Sequence, residues 1–220
     1  MLKYLLILLL VVLWLVNTTF MTVIAEEPLD EFSSQGYLKK GMEAYNSGHY
    51  SEAVEKFQQA YVLDSKNALY LYYIAKSYEK MNNTANAGYY YKKAVNKDKD
   101  MVSAWYNLGL LHAEQKRYNE AADFFERAVK IDKKFGYAYY NLGNVFLAQN
   151  KYQAAIDNYL NAIKCNKDYA PAYYNLACIY KEIGKKEDAL KYYEKYQSIE
   201  KEDQAVKKVI NSLKEELKGK

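Results

Sequence analysis

Few side chains in this sequence could act together as acids, bases, nucleophiles or metal ligands. It holds two histidines, His49 and His112, and two cysteines, Cys165 and Cys178. They do not form a paired-ligand motif, and the sequence shows no glycine-rich phosphate loop or nucleophile elbow. A catalytic imidazole needs an orienting partner and a nucleophile, so we interpret His112 as a packing residue. We predict no catalytic residue, no metal site and no cofactor.

Three asparagines suggest a different chemistry, which is hydrogen bonding to a peptide backbone. Asn107, Asn141 and Asn175 follow one another at intervals of 34 residues. A carboxamide can accept a bond from a peptide N–H while it donates one to the neighbouring C=O. Such a row would recognise an extended chain without regard to its side chains.

The same interval of 34 residues organises the sequence from residue 34 to residue 203. The five repeats are residues 34–67, 68–101, 102–135, 136–169 and 170–203. Within a repeat, positions 4, 7, 8 and 11 share one face of a first helix, and positions 20, 24 and 27 share a face of a second. We name these helices A and B. In repeat 3 the marks are Trp105, Leu108, Gly109, Ala121, Phe125 and Ala128.

Small residues predict a close approach of helices A and B. Position 8 is Gly or Ala in every repeat, position 20 is always Ala, and we expect these two positions to meet. The turns between the helices are rich in Gly and Asn, which tolerate positive φ at a helix end. One repeat alone cannot bury its apolar faces, so stability has to come from stacking on neighbours.

The period and its marks resemble the tetratricopeptide repeat (TPR) family. The resemblance implies an all-α fold, namely a right-handed α-solenoid of five TPR helical hairpins. It also implies a concave groove, lined by helix A, in which extended peptides bind. One departure is the missing proline after helix B. Its positions hold Ser65, Lys99, Lys133, Lys167 and Lys201.

The resemblance places positions 5, 6 and 9 of helix A in this groove. Packed helices stand about 8–10 Å apart and an extended chain advances about 3.3 Å per residue, so one repeat would meet about every third peptide residue. The candidate peptide-binding residues are Tyr72, Lys76, Tyr106, Asn107, Leu110, Tyr140, Asn141, Asn144, Tyr174 and Asn175.

Residues 1–25 differ in composition from the repeats. Lys3 precedes an apolar run at 5–16, and an acidic cluster follows Ala25. The pattern is typical of a secretory signal peptide cleaved after Ala25. The alternative is an uncleaved membrane anchor, because residues 4–24 are long enough to span a bilayer. Both interpretations predict an exported, periplasmic or extracytoplasmic chain, either free or anchored by its N-terminal helix.

The remaining segments are short. Residues 26–33 form an acidic linker, and residues 204–220 break the period but keep a helical pattern. That pattern predicts a capping helix that covers the open flank of repeat 5. A partner-binding amphipathic helix is the alternative. The residues on its apolar face are Val206, Val209, Ile210, Leu213 and Leu217.

Charge and cysteines give two further expectations. The 31 Lys and Arg against 27 Asp and Glu give a net charge of +4, which predicts neither nucleic acid nor an anionic membrane as partner, apart from a membrane contact through residues 1–25. Cys165 stands where other repeats hold Leu or Ile, so we expect a small core residue. Cys178 lies on the other face of helix A, which disfavours a disulfide.

The sequence thus predicts a non-catalytic scaffold on the exported side of a membrane, which binds an extended segment of another protein. Two alternatives stay open. Groove tyrosines also suit sugar faces, which would make the chain a glycan or cell-wall binding module. The flanks of the repeats could instead pair with one another in a self-associating structural array.

Overall fold

The computed structural model describes residues 31–218, so the predicted signal peptide or anchor lies outside the described residues. All regular elements in this range are α-helices, which confirms the all-α class. Every helix A has 13 residues and starts at position 1 of its repeat, and every helix B has 14 residues. The helices are α1 Ser34–Asn46, α2 Tyr50–Leu63, α3 Ala68–Lys80, α4 Thr84–Lys97, α5 Val102–Glu114, α6 Tyr118–Ile131, α7 Gly136–Ala148, α8 Tyr152–Cys165, α9 Ala170–Glu182, α10 Lys186–Ile199 and α11 Gln204–Lys218.

The described chain divides into two compact units, one up to Asn83 and one from Thr84. In the N-terminal unit α1 packs on α2, and α2 packs on α3. The core of this unit is built around the fully buried ring of Phe57, which stacks on Tyr73 with a centroid distance of 5.2 Å. Tyr70 is also fully buried, and its hydroxyl has no hydrogen-bond partner within residues 31–218.

In the C-terminal unit each helix packs on the next one, from α4 to α11. One buried cluster joins α6 to α7, a second joins α8 to α9, and a third joins α9 and α10 to α11. The first two clusters combine helix B of one repeat with helix A of the following repeat. The apolar core therefore runs across the seams between repeats, as expected when a single repeat cannot bury its own faces.

The small residues of helix A make a close contact with the aromatic ring at position 24. A Cβ atom added at Gly109 would lie 2.5 Å from Cε1 of Phe125, and one added at Gly143 would lie 2.7 Å from Cε1 of Tyr159. The close approach expected at position 8 is therefore present, and the contact with the alanine at position 20 stays a prediction. The nearest atoms belong to the ring at position 24, which lies against the backbone of helix A.

The sequence pattern also left two buried positions of helix A unmarked. Positions 3 and 10 face the preceding helix B and are as deeply buried as positions 7 and 8. In repeats 3 to 5 these residues are Ala104, Ala138, Ala172, Leu111, Val145 and Ile179.

The turn between helices A and B has one residue with positive φ, always at position 15. The φ values are 81° at Gly48, 55° at Asn82, 58° at Lys116, 58° at Asn150 and 77° at Gly184. The predicted role of Gly and Asn in these turns is confirmed. Lys116 adopts the same conformation although its side chain does nothing to favour it.

Helix B ends without proline because a side-chain turn follows it. The Oδ1 atom of an Asp or Asn at position 31 accepts a bond from the backbone N–H two residues later, at 2.8–3.3 Å. Such a turn replaces the next helical bond and redirects the chain. The four residues are Asp64, Asp98, Asp132 and Asn166.

Helix α11 covers the exposed side of repeat 5. Val206, Ile210 and Leu213 are buried in one cluster with Ala189 and Tyr193. None of the helices within residues 31–218 is both long enough and apolar enough to cross a membrane.

Candidate functional site

Hydrogen bonds join helix A of one repeat to helix A of the next in the C-terminal unit. Nδ2 of Asn141 in α7 donates to the hydroxyl of Tyr106 in α5 at 2.9 Å. Nδ2 of Asn175 in α9 donates to the hydroxyl of Tyr140 in α7 at 3.4 Å. In each case position 6 reaches position 5 of the preceding repeat. We name these four residues the Tyr–Asn ladder.

Tyrosines at position 24 add further partners. Asn107 donates to the hydroxyl of buried Tyr91 at 3.1 Å, and Asn175 donates to that of Tyr159 at 3.2 Å. Tyr159 in turn donates to Oδ1 of Asn144 at 2.7 Å, and Asn175 donates to the same oxygen at 3.0 Å. Burial raises the pKa of Tyr159, so this hydroxyl keeps its proton and remains a donor.

These bonds affect one of the two roles predicted for the asparagines, which is donation of a hydrogen bond to a peptide C=O. Both N–H groups of Asn141 are engaged, one by Tyr106 and the other by the backbone oxygen of Tyr137 at 3.0 Å. Those of Asn175 are likewise engaged within the array. These two amides therefore cannot donate to a peptide C=O, and that part of the prediction is wrong. Their carbonyl oxygens accept no bond from the described chain, and both can still accept a peptide N–H.

The tyrosine hydroxyls supply the donors instead. Tyr106 and Tyr140 each accept a bond from an asparagine, and no acceptor within residues 31–218 takes their own protons. Burial raises the pKa of Tyr106, so it stays protonated. The amide nitrogen of Asn144 also donates no bond inside the described residues. The O–H of Tyr106 beside the Oδ1 of Asn141 thus forms a donor–acceptor pair that matches a peptide group.

Neighbouring rings fix the ladder tyrosines in place. The ring of Tyr106 meets Phe135 edge-to-face at 4.9 Å, and that of Tyr140 meets Tyr169 in the same way at 5.1 Å. A second aromatic ring, at 5.7 Å, supports each tyrosine from another side. Edge-to-face pairs stabilise a defined ring orientation. Both hydroxyls are therefore held in position before any ligand arrives.

Four other predicted residues have different surroundings. Leu110 packs against the buried cluster between α6 and α7. Tyr174 is 40 % exposed at the C-terminal end of the row. Tyr72 and Lys76 belong to the N-terminal unit, where Nζ of Lys76 lies 6.0 Å from the ring centroid of Tyr45.

The histidine and the cysteines give mixed outcomes. His112 is buried, as predicted, and meets Phe124 edge-to-face at 4.9 Å. The expectation that Cys165 is a core residue is wrong, because this side chain is exposed at the end of α8. Sγ of Cys178 lies 3.4 Å from the hydroxyl of Tyr193, and both thiols are free.

Comparison with models of known protein families shows which family the chain belongs to. Three models, each described as tetratricopeptide repeat, match residues 38–101, 100–168 and 158–191. The chain belongs to the tetratricopeptide repeat family. Its ladder is therefore built on helix A of successive TPR hairpins, and its core follows from TPR stacking.

Solved structures agree with the TPR fold. A crystal structure of MamA is 25 % identical, with a TM-score of 0.69 over 73 % of this chain and 94 % of that chain. YrrB, described as a TPR protein with an unusual peptide-binding site, is 19 % identical, with a TM-score of 0.67 over 86 % and 96 %. The pilF protein of Pseudomonas aeruginosa is 21 % identical, with a TM-score of 0.66 over 76 % of both chains. At these identities YrrB and pilF support the fold alone. A comparison with curated protein sequences found no match.

Proposed function

We propose that this TPR protein is a non-catalytic scaffold that binds an extended segment of another protein along the Tyr–Asn ladder. The observation that carries the proposal is the pairing of unused groups in successive repeats. The hydroxyls of Tyr106 and Tyr140 have protons to donate, and the Oδ1 atoms of Asn141 and Asn175 have room to accept. A peptide backbone offers the complementary C=O and N–H groups.

The bonds within the ladder favour binding in a second way. Each asparagine donates a hydrogen bond to a tyrosine of the preceding repeat, and each of these tyrosine rings contacts two other aromatic rings. Side chains that are already ordered lose little conformational entropy when a ligand arrives. The affinity of such a site comes from main-chain bonds, as in proteins that add a peptide strand to a sheet.

The packing of the tyrosines favours a peptide over a sugar. Tyr106 and Tyr140 are half-buried, and each has aromatic neighbours on two sides. A sugar stacks on an open ring face, and the aromatic neighbours reduce the ring surface that these two residues have available for such stacking. Retention of the wild-type protein on a polysaccharide or peptidoglycan resin would favour the glycan alternative instead.

The test is a double substitution of Tyr106→Phe and Tyr140→Phe, which keeps both rings and removes both O–H donors. A binder is first selected from a random peptide library, and its Kd is measured by calorimetry. Two lost hydrogen bonds predict a Kd that is roughly 5- to 150-fold higher. Tyr89→Phe is the matched control, because Tyr89 is 56 % exposed on α4 and lies outside the ladder. Equal Kd values for the double variant and the control would overturn the proposal.

We also propose that the repeats act on the exported side of a membrane. The support is the order of Lys3, the apolar run 5–16 and the acidic residues that follow Ala25. Cell fractionation followed by N-terminal sequencing tests this. A first residue at Glu26 in the exported fraction is expected for a cleaved chain, and Met1 in a membrane fraction for an anchored one. Recovery in the cytosol would contradict both.

A further inference from the structure

A cavity of about 210 Å³ lies where the start of α7 approaches the end of α8. Its aromatic walls are Phe135, Tyr137 and Tyr169, and Gly136, Cys165 and Lys134 complete most of the lining. We name this cavity the ring pocket.

Two small residues of repeat 4 leave this space open. Gly136 and Cys165 are the smallest residues at positions 1 and 30 of any repeat. They also approach each other closely, because a Cβ atom at Gly136 would lie 3.0 Å from Cβ of Cys165. At position 1 the other repeats hold Ser34, Ala68, Val102 and Ala170, and at position 30 they hold Leu63, Lys97, Ile131 and Ile199.

The walls of the ring pocket are continuous with the Tyr–Asn ladder. The backbone oxygen of Tyr137 accepts a bond from Asn141 at 3.0 Å. The ring of Tyr137 lies 5.5 Å from Tyr169, which in turn lies 5.1 Å from Tyr140. A side chain of a peptide bound along the ladder could therefore reach into this cavity.

The size and walls of the ring pocket suit one six-membered aromatic ring. An apolar cavity of about 150 Å³ is known to accept benzene, so 210 Å³ leaves room for a phenyl or phenol group and its first methylene. The wall rings already meet one another edge-to-face, at 5.5 Å for Tyr137 and Tyr169. A further ring would extend the same arrangement.

The positive charge around the opening favours an acidic residue next to the aromatic residue of the ligand. The neighbouring segments 132–134 and 164–168 carry four exposed lysines against two aspartates. Within residues 31–218 none of these lysines forms an ion pair. An acidic residue of the ligand would find unpaired cations here. The lysines are Lys133, Lys134, Lys164 and Lys167.

We propose that the ring pocket receives the Phe or Tyr side chain of a peptide held on the Tyr–Asn ladder, with an acidic residue next to that side chain. This inference rests on the proposed function and adds selectivity to it. The ladder recognises the backbone, whereas the ring pocket recognises one residue.

The first test compares three blocked decapeptides of Ser and Ala that differ only at two central residues, which are Phe-Asp, Ala-Asp or Phe-Lys. Burial of a benzyl group predicts that the Phe-Asp peptide binds at least roughly tenfold more tightly than the Ala-Asp peptide. The Phe-Lys peptide should bind a few-fold more weakly than Phe-Asp at low salt. Equal binding of the Phe-Asp and Ala-Asp peptides overturns the ring pocket and leaves the ladder intact. If none of the three binds, both proposals fail.

The second test locates the ring directly. In a Cys178→Ser protein, Cys165 is the remaining thiol, and it lines the cavity. We expect the Phe-Asp peptide at saturation to slow alkylation of Cys165 severalfold, and the Ala-Asp peptide at saturation to leave the rate nearly unchanged. Equal protection by the two peptides would contradict the assignment.

A variant that fills the ring pocket completes the test. Cys165→Ile introduces the residue that repeats 3 and 5 carry at the same position, so the backbone is suited to it. The preference for Phe-Asp over Ala-Asp should disappear, while affinity for Ala-Asp stays unchanged. Ile131→Cys, the reverse exchange in repeat 3, should keep the preference. A thermal melt checks that both variants fold, and a preference for Phe that survives in Cys165→Ile sinks the proposal.

Discussion

The hairpins α5–α6 and α7–α8 share one backbone plan but close the space between their helices with different chemistry. In repeat 3, Phe125 at position 24 is accompanied by Leu110 at position 9, and both belong to an apolar cluster. In repeat 4 the same positions hold Tyr159 and Asn144, whose side chains share a hydrogen bond of 2.7 Å. A buried hydroxyl needs a partner, so the residue at position 9 has to change together with the ring.

Repeats 1 and 5 follow the same rule. Repeat 1 has Phe57 with apolar Met42. Repeat 5 has Tyr193, whose hydroxyl lies 3.4 Å from the sulfur of Cys178. The comparison teaches that positions 9 and 24 together decide whether the space between the two helices of a hairpin is closed by apolar contacts or by a hydrogen bond. Exchanges of single residues between the two hairpins test this conclusion.

The largest effect is expected where the two hairpins are alike. Gly109→Ala and Gly143→Ala would each press a methyl group into the ring at position 24, and should each lower the free energy of unfolding by about 2–3 kcal/mol in urea titrations. Gly88→Ala is the control, because no atom outside its own helix lies within 4 Å of the added methyl. That variant should gain about 0.5–1 kcal/mol, since alanine favours a helix interior. Equal effects at Gly88 and Gly109 would refute the ring contact.

The next effect tests where the hairpins differ. Asn144→Leu gives repeat 4 the position 9 residue of repeat 3 and leaves the proton of the Tyr159 hydroxyl without an acceptor. We expect a loss of about 1–2 kcal/mol in the free energy of unfolding. Adding Tyr159→Phe should restore about 1 kcal/mol of that loss, because the pair is then apolar as in repeat 3. Strictly additive effects in this double-mutant cycle would show that the two positions are independent.

A smaller effect concerns position 11, where repeat 3 has His112 and repeat 4 has Phe146. Burial lowers the pKa of His112, as do the nearby cations Arg117 and Lys92, while Glu120 opposes the shift. The unfolded chain therefore binds a proton more readily, and stability falls as the pH drops below about 6.5. His112→Phe should remove this part of the acid sensitivity, so that the free energy of unfolding falls less between pH 7 and pH 5 in the variant than in the wild type. Parallel pH profiles for variant and wild type would contradict the sign.

The smallest effect lies in the turns. Lys116→Asn gives repeat 3 the residue that repeat 4 uses at position 15, where φ is 58° in both. Asparagine tolerates positive φ better than lysine, so we expect a gain of about 0.5 kcal/mol. The reverse exchange, Asn150→Lys, should cost a similar amount. Differential scanning calorimetry of the two variants should therefore show melting temperatures shifted in opposite directions.

Features that depend on local sequence could be predicted. The helix pairs and the turn positions recur five times, so every repeat reinforces the same assignment. The absence of proline after helix B is evident from the sequence, whereas the side-chain turn that replaces it is not part of the prediction. Yet position 31 holds Asp64, Asp98, Asp132 and Asn166, and an Asx turn could have been predicted from those residue types.

Features that depend on how repeats superpose could not be predicted. The sequence shows Asn141 and Tyr106 at regular positions, but their contact requires helices α5 and α7 to approach at one particular offset. Cys165 illustrates a related error. Position 30 holds Leu or Ile in three other repeats, but Leu63 is 56 % exposed and Ile131 is 37 % exposed, so residue type did not indicate burial there. The pairing of positions 9 and 24 was visible in the sequence, but its meaning appears only once the rings are located.

The hydrogen bonds that cross each seam of the ladder have a mechanical consequence. Asn175 and Asn141 each fasten one hairpin to the one before it. A chain pulled from its carboxyl end would first lose α11, then the hairpin α9–α10 with the bond of Asn175, and then the hairpin α7–α8 with the bond of Asn141. Every release frees 34 residues, or roughly 110 Å of contour length. In a single-molecule pulling experiment, the extension of the protein is therefore expected to increase in steps of equal length.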